Sequence, residues 1–244
     1  MSVTFDPDNG RWNYNKILHE SDSDAKLVYT SASVDGKAIT QQTDQSTIYT
    51  QKLKHPRLKW LIRQLEIYLS HPMATLKIRL YRNSSELPEW FYIGCSFPTK
   101  EILPTTTCGG MPFQPFVDQL PNTCRDFFAI DSWVSYQTDR SGRTWISKDS
   151  SLVGIGGPQP LRYLTEIPQQ PNRLYALVFD NTWMTNFVCD EHGIFAFQFD
   201  LVQHAPLSPV ALDAMSETIL SIPSFIIQPN FPENPSMMER LFKP

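Results

Sequence analysis

Glycine and cysteine are scarce in this sequence, and no apolar run in it is long enough to cross a bilayer. Ten glycines stand against 20 prolines in 244 residues. Proline fixes φ and lacks an N–H, so it ends strands and stiffens extended segments; the chain is stiffened rather than loose. The four cysteines, Cys95, Cys108, Cys124 and Cys189, form no C-x-x-C pair and no zinc spacing. That excludes a zinc ribbon and a dithiol redox motif and leaves no metal site to expect. Reduced thiols in a cytosolic setting are the default, with an even count leaving disulfides open. No stretch approaches the ~20 apolar residues of a membrane helix, and "MSVTFDPDNGRW" at the N-terminus carries acids where a signal peptide carries a basic and then an apolar segment. Membrane insertion and secretion are not expected.

Basic charge is also in short supply. A net charge of -4 argues against a nucleic-acid surface, whose affinity requires many neutralised phosphates. The one basic run, Lys52 to Lys59, reads as a solvated face. At this length one large domain can bury roughly 70–75% of the surface of its unfolded chain, so cross-links are not needed for stability.

What is abundant is alternation. In "GIFAFQFDLVQHAPLSP", Phe195, Phe197, Phe199 and Leu201 alternate with Ala196, Gln198 and Asp200, the period of a strand with one buried face. At roughly 3.3 Å per residue, Asp200 and His204 lie on one face about 13 Å apart and should not touch. "TLKIRLYR" and "EWFYIGCSF" read as strands, as do "SLVGIGG" and "RLYALVFDN". "DRSG" between "WVSYQT" and "RTWISK" predicts a hairpin, and Asp35-Gly36 within "KLVYTSASVDGKAIT" predicts another, since a tight turn needs φ > 0. The segment Ile102 to Pro121, with four prolines, reads as a long ordered loop.

Two segments change period. In Pro56 to Pro72, Leu58, Leu61, Ile62, Leu65 and Tyr68 recur at helical spacing, which predicts a long amphipathic helix covering a sheet. Ser208 to Ile222 predicts a shorter one, with Ser208 as cap, Pro209 in the first turn, and Leu212, Met215 and Ile219 on one face. Eight to ten closely spaced strands with helices outside them read as a mainly β chain, an antiparallel β-sandwich. We divide it into an N-terminal arm (1–25), a sandwich domain (26–222) and a proline-rich C-terminal arm (223–244), too apolar for a free tail.

Chemistry-bearing motifs are sparse. There is no G-x-S-x-G and no H-E-x-x-H. "GIGGPQP" lacks the Lys-Ser/Thr of a phosphate loop and reads as a strand-ending turn. "CDEHG", Cys189 to Gly193, gathers Cys, Asp, Glu and His, but no second cluster completes a metal site, so it reads as a polar turn. Aromatics make up 12% of the chain. Several fall on expected wet faces or near the N-terminus, Trp12, Tyr14, Tyr29, Tyr81 and Tyr136 among them, a pattern that suits interfaces as well as a core.

"RWNYN" ahead of the first strand, the hairpin "LVYTSASVDGKAIT" and the late "FDLVQHAPLSP" together resemble the corresponding parts of cypovirus polyhedrins, the matrix proteins of insect-virus occlusion bodies. The resemblance implies a three-layered β-sandwich, trimers joined into a crystal lattice around virus particles in the host-cell cytoplasm, and dissolution in an alkaline gut. It implies a structural protein, not an enzyme, with no catalytic residues and no required cofactor; a bound nucleotide is compatible with it, at no residue that can be named. Only about 25 residues precede the first strand, too few for the family's long linking helix, so both arms are candidates for lattice contacts: Trp12, Tyr14, Phe225, Phe231, Met237, Met238 and Phe242. Phenols ionise near pH 10, so Tyr14, Tyr29, Tyr49, Tyr81 and Tyr136 are candidate alkaline switches. Two other readings stay open: a β-sandwich hydrolase or isomerase using Asp200 and His204 or the Cys189–His192 cluster, and a capsid-type shell protein.

Overall fold

The computed structural model describes residues 1–5, 27–85, 89–98, 101–158, 160, 164–182 and 190–221. Alternation is realised as two antiparallel sheets. The smaller contains β1 (Ser2–Phe5), β2 (Leu27–Thr30), β8 (Glu89–Ser96), β11 (Phe128–Ala129), β14 (Leu152–Ile155) and β15 (Arg173–Asp180), in the order β11-β14-β15-β8-β1-β2. The larger is built from β3 (Ser33–Val34), β4 (Ile39–Gln42), β5 (Ser46–Lys54), β6 (Leu58–Tyr68), β7 (Met73–Arg82), β9 (Thr105–Cys108), β10 (Met111–Phe113), β12 (Trp133–Gln137), β13 (Gly142–Ser147) and β16 (Gly193–His204). Its order is β10-β9-β12-β13-β16-β7-β6-β5-β3, with β4 also on β5.

The inward residues of the two sheets meet. Val134, Tyr136, Trp145 and Phe199 of the larger sheet pack with Val153, Ile155, Leu174 and Ala176 of the smaller. Trp145 and Phe199 stack with ring centroids 4.9 Å apart. A second cluster joins Leu61, Ile78 and Leu80 to Phe91 and Phe179. The architecture is therefore an antiparallel β-sandwich, as the alternation of β7 and β16 predicted. The smaller sheet also buries apolar side chains on its opposite face, where Val3, Trp90, Tyr92 and Leu177 cluster.

Helix α1 (Pro209–Leu220) forms where predicted. Ser208 caps it by accepting from the Ala211 N–H at 3.3 Å, and Pro209 occupies its first turn, where a missing N–H costs nothing. Leu212 packs on Trp133 and Ile146 with Met215 and Ile219 alongside, and Asp213 accepts from Trp133 Nε1 at 2.6 Å. The helix lies on the outer face of the larger sheet.

Three sequence expectations are corrected. The long amphipathic helix expected over Pro56 to Pro72 is strand β6, bonded to β5 on one side and β7 on the other. Leu61 and Leu65 face the neighbouring Leu80 and Leu76 in register, while a register shift between Leu58 and Trp60 accommodates the apolar residues that mimic a helical period. Asp35-Gly36 does not turn a hairpin: β3 and β4 both pair with β5, so the Gly36 φ of 80° makes an irregularity between two segments on one edge. The expected loop Ile102 to Pro121 contains the β9–β10 hairpin, whose Gly109 and Gly110 take φ of 60° and 74° while their N–H groups donate to the Asp131 carboxylate at 2.8 and 2.9 Å. The "DRSG" hairpin is present as β12–β13, closed by Thr138 N–H to the Ser141 carbonyl at 2.8 Å.

Candidate functional site

Asp200 and His204 point from the outer face of β16, and each is engaged by a threonine rather than by the other. Asp200 is buried and accepts from Thr75 Oγ1 at 2.5 Å, its register partner on β7. His204 Nδ1 lies 2.6 Å from the Ala205 carbonyl, which can only accept, so Nδ1 holds the proton. Nε2 then faces the Thr144 hydroxyl at 2.7 Å. Thr144 has no exposed surface, so this hydroxyl–imidazole pair cannot serve as a nucleophile and base toward a substrate. The nearby Glu66 accepts from Ser46 Oγ at 2.8 Å and Lys77 Nζ at 3.1 Å. The Ser46 bond holds its carboxyl below the usual carboxylate range, with Lys77 adding to it.

The "CDEHG" turn is local structure. Asp190 accepts from Ser84 Oγ at 2.5 Å, the Ser85 N–H at 3.0 Å and His192 Nδ1 at 3.1 Å, which holds its carboxyl low, the Ser84 bond foremost. Cys189 lies outside the described residues, and among the described residues no group of three His, Cys, Asp or Glu could hold a metal ion.

Of the expected switch residues, Tyr29 and Tyr49 are exposed at 43% and 40%. Tyr81 is half-buried with Lys59 Nζ 5.2 Å over its ring. Tyr136 is corrected from a wet face to the core: it is 1% exposed, stacks on Phe97 at 4.5 Å and donates to the Pro171 carbonyl at 2.9 Å. Burial drives its phenol above the ordinary tyrosine range, with Cys95 adding to the shift, so it is no alkaline switch. Tyr14 and the assembly candidates Trp12, Phe225, Phe231, Met237, Met238 and Phe242 lie outside the described residues.

The sequence reading missed the feature that gathers polar groups in one place. Where β8 ends and β6 turns into β7, the two sheets part around a cavity of about 460 Å³. Its polar lining comes from Tyr68, His71, Arg143 and Gln203, against an apolar wall that includes Phe97 and Leu201. Arg143 is half-buried, and no hydrogen bond or ion pair to its guanidinium is present among the described residues. The Tyr68 oxygen lies 3.4 Å from Thr75 Oγ1, on the outer face of the larger sheet with Asp200, whereas Arg143, Leu201 and Gln203 stand on the face turned toward the smaller sheet. Cys95 is no nucleophile here, since burial pushes its thiol up to about 11. A wider depression of about 800 Å³ beside the β5–β6 turn is lined by Lys52, Lys54, Lys59 and Trp60, but Lys54 pairs with Asp35 at 3.0 Å and Lys59 sits on Tyr81. The cavity residues come from five separate strands and the segments between them, and no local string marks them.

No protein-family model matches the sequence, and no curated protein does. Among solved structures, the chain is similar to an alpha-mannosidase from Enterococcus faecalis V583 at 8% identity and a TM-score of 0.55, covering 89% of this chain and 27% of that one. A protein in glycosyl hydrolase family 38 from Enterococcus faecalis gives 7% identity and a TM-score of 0.54, again over 89% and 27%. A galactose 1-epimerase from Lactobacillus acidophilus NCFM aligns at 7% identity, 70% and 66% coverage and a TM-score of 0.41. The chain thus spans about a quarter of the length of the mannosidase whose fold it shares. The expectation that this chain is no enzyme is overturned: its β-sandwich is a fold found within carbohydrate-active enzymes.

Proposed function

We propose that the chain is a carbohydrate-acting β-sandwich of the hydrolase or isomerase class, with its ligand in the cavity between β8 and the β6–β7 turn. The observation that carries this reading is the convergence of His71, Arg143 and Gln203 on one cavity of about 460 Å³, a size that suits a monosaccharide or one unit of a longer glycan. Phe97 and Leu201 offer an apolar wall to the C–H face of a sugar, and the polar groups opposite suit its hydroxyls.

None of the described residues lining the cavity is Asp or Glu. Glycoside hydrolysis by a facing carboxylate pair requires two carboxyls on the ligand, which favours acid–base isomerisation over that mechanism. His71, in the lining with Arg143 and Gln203, is the group placed to exchange protons with a bound sugar. A panel of aldoses and glycosides tests the reading. We expect at least one to raise the thermal midpoint and to show faster anomer or epimer exchange by NMR with protein than without. No shift and no exchange across the panel ends the proposal.

Lattice formation, as in the occlusion bodies that the sequence resembles, is a second proposal compatible with an enzyme fold. It is supported by the exposed Tyr29 and Tyr49 and by apolar Val34 and Ile39, exposed at 62% and 67% on an edge of the larger sheet. Cells producing the chain should then accumulate material that dissolves near about pH 11 and persists in mild acid; a soluble monomer at all pH values contradicts it.

A further inference from the structure

The cavity differs from an ordinary neutral-sugar site in its charge. Neutral sugars are bound by carboxylates and amides that accept from hydroxyls, yet the described lining carries no carboxylate and does carry a guanidinium. Arg143 stands on β13 opposite Gln203 of β16 in register. Both are on the cavity wall, and His71 sits on the β6–β7 turn beside them. The carboxylates nearest in the network are committed elsewhere: Asp200 to Thr75 at 2.5 Å, and Glu66 to Ser46 at 2.8 Å and Lys77 at 3.1 Å. A half-buried arginine without a counter-charge among the described residues is an incomplete ion pair, and its planar fork of donors matches a carboxylate or phosphate in two-point contact.

Resting on the carbohydrate reading, we infer that the ligand is an acidic saccharide, a uronate or a sugar phosphate, whose anionic group is held by Arg143 with Gln203 and His71 beside it. The sugar ring then lies toward Phe97 and Leu201. The anion supplies the counter-charge that the described lining does not. Binding should weaken as salt rises, because the cavity mouth is open to screening.

The test is titration calorimetry of the full chain with D-glucuronate, D-galacturonate, glucose 6-phosphate, D-galactose and D-mannose, repeated with Arg143→Gln and Arg143→Lys. The expected result is acidic sugars binding at least about tenfold tighter than neutral ones, a preference erased by Arg143→Gln and partly kept by Arg143→Lys, which retains charge without the fork. Whether uronates or the phosphate bind tighter identifies the anionic group. Matching thermal midpoints of the variants exclude misfolding, and Arg143→Lys remains informative if Arg143→Gln does not fold. Equal affinity for neutral and acidic sugars in wild type overturns the inference and leaves the carbohydrate reading intact. Arg143-dependent binding of inorganic phosphate or acetate with no saccharide bound overturns both the acidic-sugar assignment and the carbohydrate reading, leaving a plain anion site. No binding of any probe overturns the inference and the reading together.

Discussion

Glu89→Gln is expected to destabilise the protein by about 3–5 kcal/mol, because it leaves a buried cation without its counter-charge. Glu89 and Arg82 each have 1% of the side chain exposed, and Arg82 Nη2 donates to Glu89 Oε1 at 2.9 Å. Arg57 Nε reaches Oε2 at 3.1 Å. Arg82 also donates through Nη1 to the Glu191 carbonyl at 2.7 Å and lies 5.3 and 4.9 Å over the rings of Phe91 and Phe179. Among the described residues its Nε has no partner, so the guanidinium is already under-satisfied and cannot tolerate losing the carboxylate. The pair joins β7 of the larger sheet to β8 of the smaller, which makes it a brace across the sandwich. Urea unfolding of wild type, Glu89→Gln and the double change Arg82→Met with Glu89→Leu reads the effect. The single change should carry the full loss, and the apolar pair should recover most of it, since a buried ion pair contributes little net stability over well-packed apolar groups. A loss below about 1 kcal/mol for Glu89→Gln would mean that water reaches the site.

Acid should unfold the protein in part through His55. Its ring is 5% exposed and its pKa is lowered to about 4, chiefly by burial, with the chain-terminal amine and Arg57 adding to the shift against a raising bond to the Thr30 carbonyl. Nδ1 accepts from the Arg57 N–H at 3.3 Å, so Nε2 carries the proton toward the Thr30 carbonyl at 3.2 Å and Ser2 Oγ at 3.3 Å. The neutral ring therefore ties β1 and β2 of the smaller sheet to the β5–β6 turn of the larger. The unfolded chain takes up a proton at the ordinary value of 6.5 and the folded chain only near 4. Stability is thus full above pH 6.5 and is lost progressively between there and about pH 4, by up to about 3 kcal/mol. His55→Gln should flatten this part of the profile. We expect the difference in unfolding free energy between wild type and variant to change sign or shrink markedly from pH 7 to pH 4.5; an identical pH slope in both would refute the assignment.

Strand β16 shows what could be read directly. Its Phe195, Phe197, Phe199 and Leu201 face inward as their alternation requires, and Asp200 and His204 stand apart on the other face as a strand's rise dictates. The capped start of α1 was equally plain, because capping depends on residues within one turn of each other. Strand β6 shows the opposite. Leu58, Leu61, Ile62, Leu65 and Tyr68 satisfy a helical period by themselves, and what makes the segment a strand is ladder pairing on both sides with β5 and β7. Tyr136 was misplaced for a related reason: its exposure depends on the sheet that packs over it, through Phe97 and Pro171, more than thirty residues away. The cavity follows the same rule. His71, Arg143 and Gln203 carry no local signal in the sequence and become a site only where the β6–β7 turn, β13 and β16 are brought together.

By itself, then, the sequence determined that this chain is a mainly antiparallel β-sandwich with a capped helix, because side-chain alternation, turn chemistry and capping act between neighbours. Tertiary structure alone decided which periodic segment became a strand, which tyrosine was buried and which arginine met a cavity. Pairing partners and burial are set by contacts between residues far apart in the chain, and a short window of sequence carries no record of them.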